Sequence, residues 1–358
     1  MGENVVSSTS EMLQQATDWL KAAGVETPRN DAKLLLAEAF GVTPSDVEKS
    51  ILLDTPLHST VNNDATDDVD IQRIDDESDS QSVSQQGSKT AKSNESSTNA
   101  DDTSENNEAD ELSDADDAAI RRFAVMIARR KQREPLQYIV GHAPFRYLDL
   151  QVGPGVFIPR PETETVVQAA IDWLTHENIK PSRLVDLCAG SGAIGLSLVT
   201  EVPGSEVWAV ELSLEALEWT KRNEQKVFKD HSLAGYNYHL FHADAANAMT
   251  LSQLDGTIDA VVTNPPYVPL AQVPEQPEVR DYDPKTALYG GSADGTYTPE
   301  RIILRAVKLL RSGGALVMEH DISQARLLTD FARTHGFRTA RTGDDLTGRP
   351  RYLFAVKE

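Results

Sequence analysis

Cysteine is almost missing from this chain. Cys188 stands alone in 358 residues, so no disulfide can form within it, and a reducing, cytoplasmic setting is expected. Aromatic residues make up only 6% and apolar residues 39%, low for a chain folded throughout, so part of it is expected to be unstructured. Also missing are an apolar run of transmembrane length and an N-terminal basic stretch followed by an apolar one. Neither a membrane span nor secretion is expected.

The formal charge of −22 is unevenly placed. Between Ser59 and Ala119 lie 18 acidic residues and 3 basic ones, which leaves the rest of the chain at an ordinary −7. Acidic runs at Asp64–Asp70, Asp75–Asp79 and Asp101–Asp117 are separated by Ser, Gln, Asn and Thr, with no aromatic residue. Such a segment buries too little apolar surface to offset its chain entropy, so residues 59–114 are expected to be a disordered insertion. It reads first as a solvated spacer, with an interaction tail as the alternative.

The flanks carry helical periodicity. Met12, Ala16, Trp19, Leu20 and Ala23 share one face of Glu11–Gly24; Leu34–Leu36 and Ala39 mark Asn30–Phe40; Thr43-Pro44-Ser45 opens a short third helix. Ile120, Phe123, Ala124 and Ile127 resume the pattern over Ala118–Lys131. Residues 1–58 and 115–134 therefore read as one small helical domain with the insertion looped out. Arg121, Arg122, Arg129, Arg130, Lys131 and Arg133 gather at its end, either as a solvated face or as a docking surface for an acidic partner.

From Pro135 to Glu358 the texture changes to short apolar runs alternating with helical stretches. Leu184–Leu187, Glu206–Val210, Tyr238–Phe241, Ile258–Thr263, Gly314–Glu319 and Arg351–Val356 read as strands, with helices such as Ile194–Val202 and Leu214–Phe228 between them. This alternation predicts an α/β fold with a mostly parallel, doubly wound sheet, whose ligands bind beyond the carboxyl ends of the strands.

The first such end is Val185-Asp186-Leu187-Cys188-Ala189-Gly190-Ser191-Gly192. Read literally, Gly190–Gly195 satisfies the dinucleotide fingerprint G-x-G-x-x-G, and Glu211 ends the next strand where an acid takes ribose hydroxyls. Taken alone, the motif leaves a nicotinamide or flavin cofactor open. Asp186 turns the reading toward S-adenosylmethionine, because D-x-x-x-G-x-G resembles the methyltransferase glycine motif and a carboxylate suits an ammonium and a sulfonium. Asp244, after the third strand, is placed to accept from an adenine amino group, with a helix N-cap as the alternative. Cys188 reads as a small packed residue rather than a nucleophile.

The fourth strand runs into Asn264-Pro265-Pro266-Tyr267. The Asn264 side-chain carbonyl and the Pro265 main-chain carbonyl can accept from a planar NH2 group, Pro266 restricts the backbone, and Tyr267 offers a flat wall. Two acceptors on the hydrogens of an amide return electron density to its nitrogen. What remains is positioning, which is worth about 7–11 kcal/mol at best. No metal is demanded.

Upstream, Glu134–Gly141 and Phe157-Ile158-Pro159-Arg160-Pro161-Glu162-Thr163-Glu164 stand in the same order relative to Asn264–Tyr267 as in the HemK/PrmC family of protein glutamine methyltransferases, which the chain resembles everywhere outside the acidic insertion. The resemblance implies a Rossmann-like sheet of seven strands, a helical docking domain, and methylation of the Gly-Gly-Gln glutamine of peptide-chain release factors, with S-adenosylhomocysteine as product. It implies that Asn264, Pro265, Pro266 and Tyr267 hold the amide and that Phe157 and Pro159 wall the pocket. Asp186, Ala189, Gly190, Gly192, Glu211 and Asp244 are assigned to the cofactor, with Phe157, Pro159 and Asn264 beside it. Arg160, Glu162 and Glu164 are expected to fix their loop. Asp283 stands where the family usually has Glu, and the insertion interrupts the docking domain.

Rivals remain. A DNA adenine methyltransferase should carry a basic footprint, but Pro135–Glu358 holds 21 basic and 28 acidic residues, and no sequence-specific nucleic-acid binding is expected. A ribosomal-protein glutamine is a closer alternative target. An NAD-dependent oxidoreductase lacks a hydride-relay candidate, and a non-catalytic nucleotide-binding protein would have no need of Asn264–Tyr267.

Overall fold

The computed structural model describes residues 8–60, 104–231 and 237–358, with the backbone alone for 104–113. Residues 61–103, most of the expected disordered insertion, lie outside the described residues. The chain divides into two units between Gln132 and Arg133.

The first unit is helical. Helix α1 (Thr9–Ala22) starts at a reciprocal cap between Ser8 and Glu11, and buries Leu13, Ala16 and Leu20. Trp19, expected on that face, is half-exposed beneath the Lys131 ammonium. Helix α2 (Pro28–Phe40) starts with proline in its first turn and buries Leu35, Leu36 and Phe40. Helix α3 (Pro44–Leu53) starts at a second reciprocal cap, Thr43 with Asp46. Helix α4 (Ser104–Lys131) begins fourteen residues before the apolar pattern that announced it and buries Ala119, Phe123 and Ile127.

The arginines gathered at the end of α4 have internal tasks. Arg130 is buried against Asp31, Nε to Oδ2 2.8 Å. Arg122 donates to the Ala39 carbonyl, which belongs to the unsatisfied end of α2. Arg133, already in the second unit, forks onto Glu278 at 2.7 Å. Three of the six are therefore structural.

The second unit opens with a short helix α5 (Leu136–Val140) and a hairpin of β1 (His142–Phe145) and β2 (Leu148–Gln151). Helix α6 (Thr163–His176) leads to strands and helices in alternation: β3 (Arg183–Leu187), α7 (Ala193–Glu201), β4 (Glu206–Glu211), α8 (Leu214–Asp230), β5 (Asn237–His242) and β6 (Ile258–Thr263). Two short helices, α9 (Pro277–Tyr282) and α10 (Lys285–Leu288), precede α11 (Tyr297–Leu309), β7 (Leu310–Glu319), α12 (Ala325–Thr334), β8 (Phe337–Asp344) and β9 (Pro350–Lys357).

Seven strands form one sheet in the order β5-β4-β3-β6-β7-β9-β8, parallel except where β9 runs against β7 and β8. This is the doubly wound, Rossmann-like sheet expected. All six strands read from the sequence are present; β8 is the one missed. Alternate residues feed opposite faces: Leu184, Ala260 and Val262 pack under α6 and α7, while Val185, Val261 and Leu316 pack under α11 and α12. Each such fully buried aliphatic side chain contributes about 1.5–3 kcal/mol. The strand order reverses between β4-β3 and β3-β6, which opens a crevice at the carboxyl ends of β3 and β6.

Candidate active site

Pairing of Leu187 with Thr263 brings the end of β3 beside the end of β6, and the Thr263 hydroxyl donates to the Leu187 carbonyl. The glycine turn and the Asn264–Tyr267 loop are thereby neighbours. Between them opens a cavity of about 580 Å³, walled by Phe157 and Pro159, the Cys188–Ser191 turn, Glu211, Asp244, Asn264, Pro266 and Tyr267. The size suits a small-molecule site.

At the glycine turn, Gly190 has φ +58° and no atom within 4 Å of where a Cβ would stand. The turn thus offers bare backbone to a ligand. Glu211 closes it from the next strand: Oε2 accepts from Gly190 N and Oε1 from Ser213 N, both at 2.7 Å. Asp186 Oδ2 takes the Gly195 amide at 2.9 Å, within the first turn of α7. Asp186 and Glu211 thus tie the glycine turn to the ends of β3 and β4. The donor set fits a ligand bearing positive charge and ribose hydroxyls, as S-adenosylmethionine does.

Three residues assigned to the cavity stand behind it. Asp186 is fully buried under the turn, with Oδ1 unpartnered, and burial, opposed by the Gly195 amide and aided by Glu211, pushes its pKa up to about 7. Gly192 caps α7 behind the wall. Pro265 is buried and is not among the residues that line the cavity, although Asn264 and Pro266 on either side of it are. Asp244 lines the cavity and is exposed; its Oδ1 accepts from Ala246 N at 2.8 Å within a turn, and no helix starts there, so the N-cap alternative fails. Cys188 lines the cavity with its thiol pushed up by burial and by the Glu211 and Asp186 charges, which suits packing rather than attack.

At the reaction end, Asn264 Nδ2 donates to Thr163 Oγ1 at 3.2 Å, and Thr163 donates to Glu319 Oε2 at 2.6 Å. The Tyr267 hydroxyl donates to Glu319 Oε1 at 3.0 Å, while its main-chain carbonyl accepts from Gln324 Nε2 at 2.8 Å. Burial, then the Glu319 charge, raises the Tyr267 pKa far above that of a free phenol, so it stays neutral. With its amino group engaged, Asn264 keeps a carbonyl oxygen for a donor at the cavity.

Two of the three charged residues expected to fix the Phe157–Glu164 loop make contacts that do so, Arg160 and Glu164. Arg160 lies 4.8 Å over the Phe157 ring and pairs with Asp283 Oδ2 at 2.6 Å. Burial pushes Asp283 up to about 6, and its second oxygen has no partner. Glu164 accepts from the Arg146 amide at 3.0 Å. Thr163, Glu319 and Gln324 were missed in the sequence. Glu319 shared one signal with Glu211, an acid at the carboxyl end of a strand.

Among the described residues no helix is long and apolar enough to cross a membrane. Residues 11–55 and 109–141 match the family described as PrmC N-terminal domain, and residues 137–277 match the one described as Conserved hypothetical protein 95. The release factor glutamine methyltransferase of Bifidobacterium longum (strain NCC 2705) is 52% identical over 347 residues, covering 97% of this chain and 99% of that one. That of Mycolicibacterium smegmatis (strain ATCC 700084 / mc(2)155) is 34% identical, covering 96% of each. A 4-amino-L-phenylalanine/4-methylamino-L-phenylalanine methyltransferase of Streptomyces pristinaespiralis is 36% identical over 218 residues, 60% of this chain and 70% of that one.

Proposed function

Since the chain belongs to the release factor glutamine methyltransferase family, 52% identical to one relative across nearly its whole length, we propose that its target is the glutamine of the Gly-Gly-Gln motif in peptide-chain release factors, methylated on the side-chain amide nitrogen with S-adenosylmethionine as donor. The observation that carries this reading is Asn264, which lines a cavity next to the glycine turn with its amino group held by Thr163, leaving its carbonyl as the end free to accept.

Gly190, Glu211 and Asp244 would hold the cofactor, with Phe157 and Pro159 beside it. When bound there, the cofactor supplies an electrophilic methyl on a sulfonium. The Asn264 carbonyl accepts one N–H of the substrate amide, and the Tyr267 ring bounds its plane. An amide nitrogen is a weak nucleophile, and an acceptor on its hydrogen returns density to it while fixing its direction. The Pro265 main-chain carbonyl is the second acceptor beside it. Positioning is the chief catalytic resource, and the apolar walls keep water away.

The helical unit is assigned to docking the factor. Its match to the PrmC N-terminal domain, and the nearly complete coverage of the release-factor enzymes, support a protein glutamine over a free amine. The test is transfer of labelled methyl to a purified release factor, beside the same factor with its Gly-Gly-Gln glutamine replaced by glutamate. Label on the first alone supports the reading. Equal label on both places the acceptor elsewhere.

A further inference from the structure

Glu319 is not among the residues lining the cavity, yet two segments of the site converge on it. It ends β7 and is 1% exposed. Oε2 receives the Thr163 hydroxyl at 2.6 Å and Oε1 the Tyr267 hydroxyl at 3.0 Å. Thr163 in turn receives Asn264 Nδ2 at 3.2 Å. Burying a carboxylate costs several kcal/mol unless donors surround it, roughly as here. Burial raises its pKa, while the two hydroxyls and the Arg351 charge oppose that rise.

An ionised carboxylate can only accept hydrogen bonds, a hydroxyl has one hydrogen to give, and an amide has one donating and one accepting end. These rules fix the direction of every bond in the chain. The Glu319 oxygens accept from the Thr163 and Tyr267 hydroxyls, so the single hydrogen of Thr163 goes to Glu319. Thr163 then has only lone pairs for Asn264, and Asn264 must turn its NH2 toward Thr163. Its carbonyl is the end left for the substrate.

We propose that Glu319 is a positioning residue that sets the orientation of the Asn264 amide, so that this site presents an acceptor, and not a donor, to the amide being methylated. The inference rests on the proposed glutamine-methylating function. Reversed, Asn264 would meet the substrate NH2 with its own NH2, donor against donor.

The test is a pair of isosteric exchanges. In Glu319→Gln, the new side-chain NH2 can donate to Thr163, which frees the Thr163 hydrogen for the Asn264 carbonyl and lets the Asn264 amide turn over. The expected result is a kcat lowered at least tenfold on the release-factor substrate. The KM for S-adenosylmethionine and the thermal shift given by S-adenosylhomocysteine should stay within twofold of wild type. Asn264→Asp in the same chain then restores direction from the other end. The amide introduced at position 319 donates to Thr163, Thr163 donates to the carboxylate introduced at position 264, and that carboxylate can only accept. The double variant N264D/E319Q is expected to turn over faster than either single variant. A merely structural Glu319 gives no such recovery. Wild-type kcat in E319Q, or a double variant slower than both singles, overturns the proposal. Absence of methyl transfer by the wild type in the same assay instead counts against the glutamine reading itself.

Discussion

Glu211 holds the Gly190 amide at 2.7 Å, which sets a carboxylate from the end of β4 against the glycine turn. A carboxylate against this turn suits a ligand with a cationic group and ribose hydroxyls. S-adenosylhomocysteine at about 100 times its Kd should raise stability by about 2.7 kcal/mol, and NAD should give no shift. In Glu211→Ala the loss of charge-assisted bonds worth about 1.5–3 kcal/mol should weaken S-adenosylhomocysteine by roughly 10- to 100-fold. Calorimetric titration of wild type and variant checks both numbers.

Gly295 lies against the Tyr267 carbonyl with φ +75°, and an added Cβ would overlap that oxygen. Gly295→Ala must either strain the backbone or push the Asn264–Tyr267 loop outward, at a cost of about 1–3 kcal/mol. Both lower stability and lower kcat are expected. Urea unfolding and single-turnover kinetics, run on the same preparation, read the two effects.

Asp186 carries a pH signature. Its pKa is about 7 in the folded chain against 3.8 for the free group, so the folded state binds its proton more tightly. The stability from that proton is complete below pH 3.8 and is lost as pH rises through about 7. Asp186→Asn keeps an acceptor for the Gly195 amide but cannot ionise. Relative to wild type it should gain stability between pH 5 and pH 8, by at least about 1.4 kcal/mol. Denaturant midpoints at the two pH values measure this, and a difference that does not change with pH contradicts it.

Arg130 and Asp31 are buried together in the helical unit. Arg130→Ala leaves a buried carboxylate unpaired and should cost about 3–5 kcal/mol, whereas Arg121→Ala, at an exposed position, should change stability by less than about 0.5 kcal/mol. Thermal unfolding of both variants separates the structural arginines from any that serve docking.

Strands β3, β4, β6 and β7 were legible because burial on both faces makes them continuous apolar runs. Strand β8 was not: it forms the sheet edge, and Phe337, Ala340 and Gly343 are its only buried positions. The early start of α4 escaped because its first turns have an acidic sequence without apolar periodicity. That Gly190, Glu211, Asp244 and Asn264 line one cavity was legible because the carboxyl ends of parallel strands mark the crevice. The Asn264–Thr163–Glu319 chain could not, since its bonds join residues 101 and 156 positions apart and exist only once β6 and β7 pair beneath α6. Pro265 and Gly192 show the opposite limit: a motif names adjacent residues, while the backbone decides which of them line the cavity.

The central claim is tested most directly by intact-mass analysis of a release factor incubated with S-adenosylmethionine and either wild-type protein or Asn264→Ala. The account predicts one added methyl on the Gly-Gly-Gln glutamine with wild type and at least a hundredfold slower gain with the variant, about 2.7 kcal/mol of lost transition-state stabilisation. Equal gain with both proteins, or no gain with wild type that binds S-adenosylhomocysteine, would contradict it.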